Sequence, residues 1–353
     1  MKSINWRQPQ KGRHMPEQSR TTREIGRIVV GGYYDHQMVR TAMLNRIRDL
    51  VRHINEGISF DRPEEKREEG GYDKKYADAN LPGLVEQMFK EGKVTAEEKI
   101  HLLKALEVAK KAASLEQSHL PLMKAYISAE PLWTEFLGHI KGLGPVLGSN
   151  IIKAIGDGSR YDSVSALWRH FGYHLVCPKC AETIEEDDGR KKTIPLLVNA
   201  QGKCQKCGAN GVGPKKMKGR SIDFDPRLRT IAWKISASFI KQQTPVYAEI
   251  YYKEKARQQA RAYPAGELRA TYGDFYELDN TKLKDLHAHN RALRKTIKIF
   301  LQHCWVASRT IASLPVTDPY VQTQLGHNPE HIITWQQARD TNANAKKGKE
   351  DVA

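Results

Sequence analysis

Four of the five cysteines fall in two short pairs whose spacing suits a metal site. Cys177 and Cys180 form the first C-x-x-C pair, Cys204 and Cys207 form the second, and 23 residues separate the two pairs. Each pair can place two thiolates on one ion, and two pairs complete a tetrahedral site. Thiolates are soft ligands, which favours zinc over magnesium or calcium. The pattern predicts a zinc ribbon that holds one structural Zn²⁺ ion per chain.

A redox dithiol and an iron–sulfur centre are the alternatives for these pairs. A redox C-x-x-C pair belongs in a different helical context. The residues between the pairs instead predict a small β-hairpin with an acidic turn at residues 185–189. The lone Cys304 lies in an apolar helical pattern and is predicted to be a core residue. Whether the ribbon also contacts nucleic acid stays open; three of its lysines could do so, Lys179, Lys203 and Lys206.

A glycine-rich turn is the second feature that could bind a ligand. The letters G-L-G-P at residues 142–145 stand between two apolar helical patterns. Two glycines allow a tight turn that leaves backbone N–H groups unobstructed, and the following helix points its positive end to the same side. This layout is typical of a helix-hairpin-helix that holds a phosphate; an ordinary glycine connection between helices is the alternative. The predicted contacts are Lys141, Gly142, Gly144, Ser149 and Lys153.

A basic stretch follows the second cysteine pair. Residues 203–255 contain 12 Lys or Arg and only 4 Asp or Glu. A cationic loop that leads into a cationic helix start is suited to phosphate contacts, which position a protein on nucleic acid without reading its sequence. The predicted contacts here are Lys215, Lys216, Lys218, Arg220, Arg227 and Arg229.

Composition limits the class of protein. The chain has 353 residues and a formal net charge of +16, which suits a polyanionic partner such as nucleic acid. Its apolar runs are too short for a membrane span, and no apolar core follows the charged N-terminus as in a secretory signal. We therefore expect a cytoplasmic protein without a membrane partner, associated with the nucleoid if the host is bacterial or archaeal. DNA is the preferred partner, RNA is the alternative, and a homo-oligomer is compatible with the sequence.

The elements that must position these residues are predicted to be mainly α-helical. We expect a helix-hairpin-helix bundle with an inserted zinc ribbon, preceded by a long N-terminal helical arm. The predicted segments are a disordered basic arm at 1–22, a helical region at 23–130 with a charged linker at 61–80, a helix-hairpin-helix domain at 131–176, the ribbon at 177–207, a basic helical part at 208–335 and a polar tail at 336–353.

Local signals delimit the helices of the arm. Apolar residues at three- and four-residue steps predict one helix from Tyr33 to about Ile54. Thr95 followed by Glu98 is a capping-box pattern that opens a second, long helix. Pro121 and Pro131 are predicted to mark its end.

Several short motifs follow one another between residues 140 and 229, and their order resembles that of a known family. They are G-L-G-P at 142–145, I-G-D at 155–157, R-Y at 160–161, A-L and F-G within 166–172, G-R at 219–220 and D-P-R-L-R at 225–229. In this order they resemble the C-terminal domain of the RNA-guided insertion-sequence transposases, or bridge recombinases. The helical stretch 287–309 is similar to the end of that domain.

The resemblance implies a role in DNA transposition or recombination. Members of that family combine a nucleophilic serine in this domain with a RuvC-like domain that carries four acidic residues. The first 130 residues here are predicted to be helical and lack that acidic pattern, and Ser221 is the nearest serine to the expected position. The sequence leaves open whether the chain is an enzyme. Its three candidate functions are a transposase-like nucleic-acid-binding protein, an active transposase or recombinase, and a scaffold whose hairpin contacts protein.

Overall fold

The computed structural model divides the chain into two compact units. It describes residues 17–57, 74–185, 189–199, 201–216, 218–261, 268–271, 274–277, 285–317 and 332–350. The N-terminal unit is Ile25–Tyr126, and the C-terminal unit contains the described residues from Ile127 onwards. The described helices include none that is long and apolar enough to cross a membrane.

Three helices build the N-terminal unit, which corresponds to the predicted arm. They are α1 (Glu17–Glu56), α2 (Leu81–Lys90) and α3 (Ala96–Ser128). Apolar side chains from α1, α2 and the start of α3 form one core, which includes Val51, Val85 and Leu102. Glu116 of α3 ties this core region to α1, because it accepts hydrogen bonds from Gln37 at 2.8 Å and Arg40 at 2.7 Å.

The capping box at the start of α3 is confirmed. The backbone N–H of Thr95 donates to the Glu98 carboxylate at 2.8 Å, and the N–H of Glu98 donates to the Thr95 hydroxyl at 3.2 Å. Two N–H groups that a helix start leaves without partners are satisfied in this way.

Three of the predicted boundaries in this region are wrong. Helix α1 begins at Glu17, so the predicted arm 1–22 is helical from that residue, while residues 1–16 lie outside the described chain. The predicted linker 61–80 is described only from residue 74, where it forms short 3-10 helices and buries Tyr76 in the core. Pro121 lies inside α3, which continues to Ser128 because buried Met123 and Ile127 outweigh one lost hydrogen bond.

The C-terminal unit is also mainly helical and carries two small antiparallel hairpins. Its helices are α4 (Pro131–Glu135), α5 (Pro145–Ile155), α6 (Val164–His170), α7 (Pro226–Lys241), α8 (Tyr247–Ala260), α9 (Asp285–Ile311) and α10 (Trp335–Glu350). Its strands are β1 (Val176–Glu185) paired with β2 (Lys191–Leu197), and β3 (Leu268–Thr271) paired with β4 (Asp274–Glu277). The β1–β2 hairpin confirms the predicted strands between the cysteine pairs; the β3–β4 hairpin lies where helix was predicted.

Helix α9 is the centre of this unit. It packs against α4, α5, α6, α7, α8 and α10. Phe300 of α9 meets the ring of Phe239 at a centroid distance of 5.1 Å and that of Tyr247 at 5.4 Å. Cys304 and Trp305, one turn further along, are completely buried, so Cys304 is a core residue as predicted.

The predicted polar tail at 336–353 is a folded element of this unit up to residue 350. Helix α10 buries Trp335, Ala338 and Asn342. The Asn342 side chain accepts a hydrogen bond from the backbone N–H of Lys141 at 3.2 Å and donates to the carbonyl of Pro245 at 3.2 Å. The residues that α10 contacts lie far away in the sequence. Its own composition is mostly polar, and therefore suggests a tail.

A buried carboxylate joins α8 to α9. Glu254 accepts hydrogen bonds from Arg257 at 2.7 Å and Gln258 at 2.6 Å on its own helix, and from Lys295 of α9 at 2.8 Å. Burial by itself raises the pKa of Glu254, but the hydrogen bonds from Arg257, Lys295 and Gln258 outweigh it and lower this pKa to about 2. The ionised carboxylate is therefore the form that the fold stabilises.

We predict that Glu254→Gln lowers the free energy of unfolding by about 2 kcal/mol at neutral pH, since charge-assisted hydrogen bonds are lost. A lowered pKa contributes stability above the unfolded value of about 4.3, and this contribution disappears as pH falls through the folded value. Urea unfolding of both proteins from pH 7 to pH 3 should show the difference shrinking below pH 4.3. A difference that does not change with pH would contradict this assignment.

Candidate metal centre and phosphate-contacting surface

The four paired cysteines converge on one point. The sulfur atoms of Cys177, Cys180, Cys204 and Cys207 all lie within 4.8 Å of one another. Zinc–sulfur bonds of about 2.3 Å place the sulfurs of a tetrahedron about 3.8 Å apart, so this arrangement fits a four-coordinate ion. The four cysteines could therefore bind a metal ion such as zinc, as the spacing predicts.

Backbone donors prepare the first cysteine pair for a cation. The N–H groups of Cys180 and Lys179 donate to the sulfur of Cys177 at 3.2 and 3.4 Å. Burial raises the pKa of the Cys177 thiol, but these N–H donors outweigh it and lower this pKa to about 6. A thiolate forms first at Cys177, and a divalent ion would offset the repulsion that opposes further thiolates.

Turns and one arginine hold the two pairs in place. The Cys204 N–H donates to the carbonyl of Ala209, and the Gly208 N–H donates to the carbonyl of Cys204, which closes the second pair into a tight loop. Arg220 donates to the backbone carbonyls of Pro178 and Lys179 in the first pair, at 3.5 and 2.8 Å. Arg220, predicted as a phosphate contact, thus holds the loop of the first cysteine pair in place.

The glycine turn at 142–145 is anchored by elements far away in sequence. The hydroxyl of Thr244 donates to the carbonyl of Lys141 at 2.9 Å, and that of Ser238 donates to the carbonyl of Gly142 at 2.7 Å. The ammonium of Lys141 donates to the carbonyl of Gln242 at the end of α7. These contacts fix the turn against the C-terminal end of α7, and Lys141 serves this anchoring.

The two glycines of the turn have different roles. Gly142 has a positive φ of +83°, and an added Cβ would lie only 3.0 Å from the Ser238 hydroxyl and 3.1 Å from Gln242. Gly144 has extended backbone, is exposed, and would place a Cβ in open space. Gly142 is needed for the turn itself, whereas Gly144 leaves the start of α5 uncovered.

The start of α5 offers backbone donors. Gly144 caps this helix without a side-chain hydrogen bond. In the described chain, the N–H groups of Val146 and Leu147 make no hydrogen bond outside the helix, and the first turn of a helix has no internal acceptor for them. Such a helix end attracts an anion.

Ser149 and Lys153 of α5 are both predicted to contact phosphate, and the fold places neither of them at the start of the helix. Ser149 is completely buried and donates to the carbonyl of Val146 at 3.1 Å. The prediction that Ser149 contacts phosphate is therefore wrong, because its hydroxyl faces the core and already has an acceptor. Lys153 is half-buried near the C-terminal end of α5, away from the N-terminal donors.

The helical pattern predicted before the turn is interrupted. Pro131 begins α4, and Phe136 leaves helical geometry with φ −140° and ψ −67°. A 3-10 turn at Leu137–His139 follows. The segment that leads into the turn therefore consists of two short helical pieces.

The basic loop after the ribbon is open to solvent. Lys215, Lys216 and Lys218 are exposed, as is Arg227 at the start of α7. Arg229 is half-buried and donates to the carbonyl of Pro214. The loop adjoins the ribbon, because the Ser221 N–H donates to the carbonyl of Thr193 in β2 at 2.8 Å.

Ser221 lies in an open pocket of about 540 Å³ beside this loop. The other lining residues are Lys216, Lys218, Gly219 and Arg220. Among the described residues, no imidazole or carboxylate hydrogen-bonds to the Ser221 hydroxyl, and a nucleophilic serine needs such a base. The surroundings are cationic only, so the assignment of Ser221 as a nucleophile remains a prediction.

Sequence reasoning missed Asn342 and treated Arg294 and Lys298 only as charges along a helix. Asn342 holds the turn, and the sole local signal for it is an Asn within a weakly amphipathic polar stretch. Arg294 donates to the carbonyls of Tyr173 and His174 at 3.0 and 2.8 Å. Lys298 stands 3.8 Å from the ring centre of Trp168.

No protein-family model, curated protein or solved structure matches this chain. The resemblance to the RNA-guided insertion-sequence transposases therefore remains a prediction from motif order.

We predict about one zinc ion per chain in protein purified without chelator, because four sulfurs surround a single point. Cys204→Ser should abolish stoichiometric zinc and destabilise the β1–β2 hairpin, since the ion supplies folding energy for so small an element. Elemental analysis and thermal unfolding measure both effects. The control Cys304→Ala removes the core cysteine and should keep the zinc; loss of zinc in both variants, or zinc-free wild-type protein, would contradict the site.

Proposed function

We propose that this protein binds nucleic acid, preferentially DNA, by gripping the phosphate backbone. Two features make the contacts: the uncovered start of α5 at Gly144, and the basic loop with Lys215, Lys216 and Lys218. The observation that carries the proposal is the exposed, side-chain-free Gly144 beside the backbone N–H groups of α5. Phosphate binding at a helix start needs these donors and this access.

Helix α7 connects the two features. Its C-terminal end receives the contacts of Lys141 and Gly142, and its N-terminal end follows the basic loop. At 16 residues it is about 24 Å long. A B-form duplex rises about 3.4 Å per base pair, so one duplex reaches both features only if it exceeds about seven base pairs. A polymer is therefore the ligand that uses both.

A metal ion at the four cysteines would have a structural role here. The residues that would hold it are Cys177, Cys180, Cys204 and Cys207, and zinc is the ion that four thiolates favour. The ion would fix the ribbon to which Arg220 and Ser221 attach. The basic loop would in turn be held in one place relative to α7.

The motif order supports a role in DNA transposition or recombination. Binding to the backbone positions a protein on DNA, and a transposase-like protein needs such a grip whether or not it cuts. An active transposase is the alternative function that the cationic pocket at Ser221 favours. Strand transfer that is lost in Ser221→Ala would support it, and unchanged strand transfer would remove Ser221.

We predict that Gly144→Val weakens binding to a duplex of about 20 base pairs roughly tenfold, because the side chain covers the donors of α5. The fold should be unaffected, since an added Cβ meets nothing within 4 Å. Fluorescence anisotropy measures the affinity, and zinc content and melting temperature check the fold.

The matched control is Gly83→Val, a glycine with equally open surroundings in the first turn of α2. It should bind like the wild type. Equal affinity for Gly144→Val and wild-type protein would remove the helix start as a phosphate contact.

We also predict that replacing Lys215, Lys216 and Lys218 by Gln flattens the salt dependence of binding. Each phosphate contact contributes about 0.9 to the slope of log affinity against log salt, so the slope should fall by about 2.7. The control removes three exposed lysines of α3, Lys104, Lys110 and Lys111. An unchanged slope in the loop variant would exclude the loop as a phosphate contact; equal changes in both variants would indicate a general effect of net charge.

A further inference from the structure

Helix α9 carries two rows of cations, and only one of these rows has a carboxylate partner. Arg291 and Lys295 face α8, where Arg291 donates to Gln258 at 3.0 Å and Lys295 pairs with the Glu254 carboxylate at 2.8 Å. Arg294 and Lys298 are one turn apart on another side of the helix and are half-buried. Within the described residues, neither of them forms an ion pair.

Arg294 converges with Arg229 on one short segment. Arg294 donates to the carbonyls of Tyr173 and His174. Arg229 donates to the carbonyl of Pro214 and packs its Cδ 3.1 Å from where a Cβ of Gly172 would lie. Gly172, Tyr173 and His174 are consecutive, so both guanidinium side chains approach the same three-residue segment. Burial, followed by the charge of Arg229, lowers the pKa of Arg294 to about 10.

Lys298 extends this cluster toward α6. Its ammonium stands over the Trp168 ring, whose Nε1 donates to the carbonyl of Lys298 at 2.9 Å. Burial, followed by the charge of Arg294, lowers the pKa of Lys298 to about 8. In the described chain the ammonium has a cation–π contact and no hydrogen-bond acceptor.

The carboxylate that contacts this segment, Asp223, already has partners. Asp223 accepts from Arg169 at 3.1 Å and contacts the Nε2 of His174 at 3.1 Å. Its pKa is lowered: burial opposes this shift, and the interactions with His174 and Arg169 outweigh burial. Asp223 is thus paired with Arg169 and His174, and the charges of Arg229, Arg294 and Lys298 remain uncompensated among the described residues.

Three converging, half-buried cations without a carboxylate are costly for a fold. Removing a charge from water is unfavourable unless an opposite charge or a set of hydrogen bonds replaces the water. An anion bound at this place would supply the missing charge and the missing acceptors. Guanidinium and ammonium groups together match the oxygens of a tetrahedral phosphate.

We propose that Arg229, Arg294 and Lys298 form a binding site for a phosphate group at the junction of α6, α7 and α9. None of these residues belongs to the two features assigned above, and only Arg229 is among the contacts predicted from the sequence, so the site adds to that surface. It rests on the proposed function only for the source of the phosphate. A nucleic-acid strand and free phosphate offer the same chemistry, and the experiment separates them.

The test compares Lys298→Met with the control Lys253→Met. Lys253 is an exposed lysine of α8 paired with Glu249, so both variants lose one positive charge. Calorimetry with inorganic phosphate at constant ionic strength should show binding to wild type and control, and affinity about tenfold weaker or worse for Lys298→Met. Without phosphate, Lys298→Met should melt at a higher temperature than wild type, because an uncompensated charge is gone. A purely structural lysine would instead lower the melting temperature.

Titration with duplex DNA identifies the source of the phosphate. Competition between DNA and phosphate, or a loss of DNA affinity confined to Lys298→Met, supports the site with a strand phosphate as its ligand. Phosphate binding that depends on Lys298 without DNA competition supports the site with free phosphate as its ligand. If the protein also fails to bind DNA, the proposed function fails while the site stands. Phosphate and DNA affinities that are equal in Lys298→Met and Lys253→Met overturn the site.

Discussion

Burial of α9 is the constraint on which the C-terminal unit depends. The irregular segment 156–161, where α5 ends, needs hydrogen-bond donors for carbonyls that no helix or sheet ladder satisfies. Helix α9 supplies them: Trp305 donates to Tyr161 at 3.0 Å, Ser308 donates to Gly156, and Arg309 donates to Gly158 at 3.0 Å. Because α5 is held at this end by α9 and at its start by the turn on α7, its exposed N-terminus has one position.

Charge distribution follows the same packing. The buried carboxylates Glu254 and Asp223 each neutralise particular cations, on the α8 side of α9 and on α6. Several other cations of the described unit have no carboxylate in contact, among them the lysines of the basic loop and Lys298 beside Trp168. A missing counter-charge costs an exposed cation little, whereas for a half-buried cation such as Lys298 the cost of removal from water is larger. A partner that brings negative charge would recover that cost.

The ribbon that carries the cysteine pairs is attached to the basic loop. The Arg220 guanidinium donates to two backbone carbonyls in the first cysteine pair, and the Ser221 N–H donates to the carbonyl of Thr193 in β2. The loop with Lys215, Lys216 and Lys218 lies between Cys207 and Arg220 in the chain, so its position depends on the ribbon's integrity. If a metal ion binds the four cysteines, its removal would affect the basic loop through the backbone, without any change in the charge of the loop.

Several features of this protein are encoded by local spacing alone. The cysteine pairs, the hairpin between them, the Thr95–Glu98 capping box and the helices of the basic half all follow from short-range patterns. Other features appear only when the chain is folded. Gly142 and Gly144 have different surroundings, and the Ser149 hydroxyl faces the core. Arg220 contacts the loop of the first cysteine pair, and the predicted polar tail is helical. Lys295 and Lys298 are the same residue type three positions apart, yet one meets Glu254 and the other meets Trp168. Their partners lie dozens of residues or more away in the chain, so burial and charge compensation arise only when the segments pack.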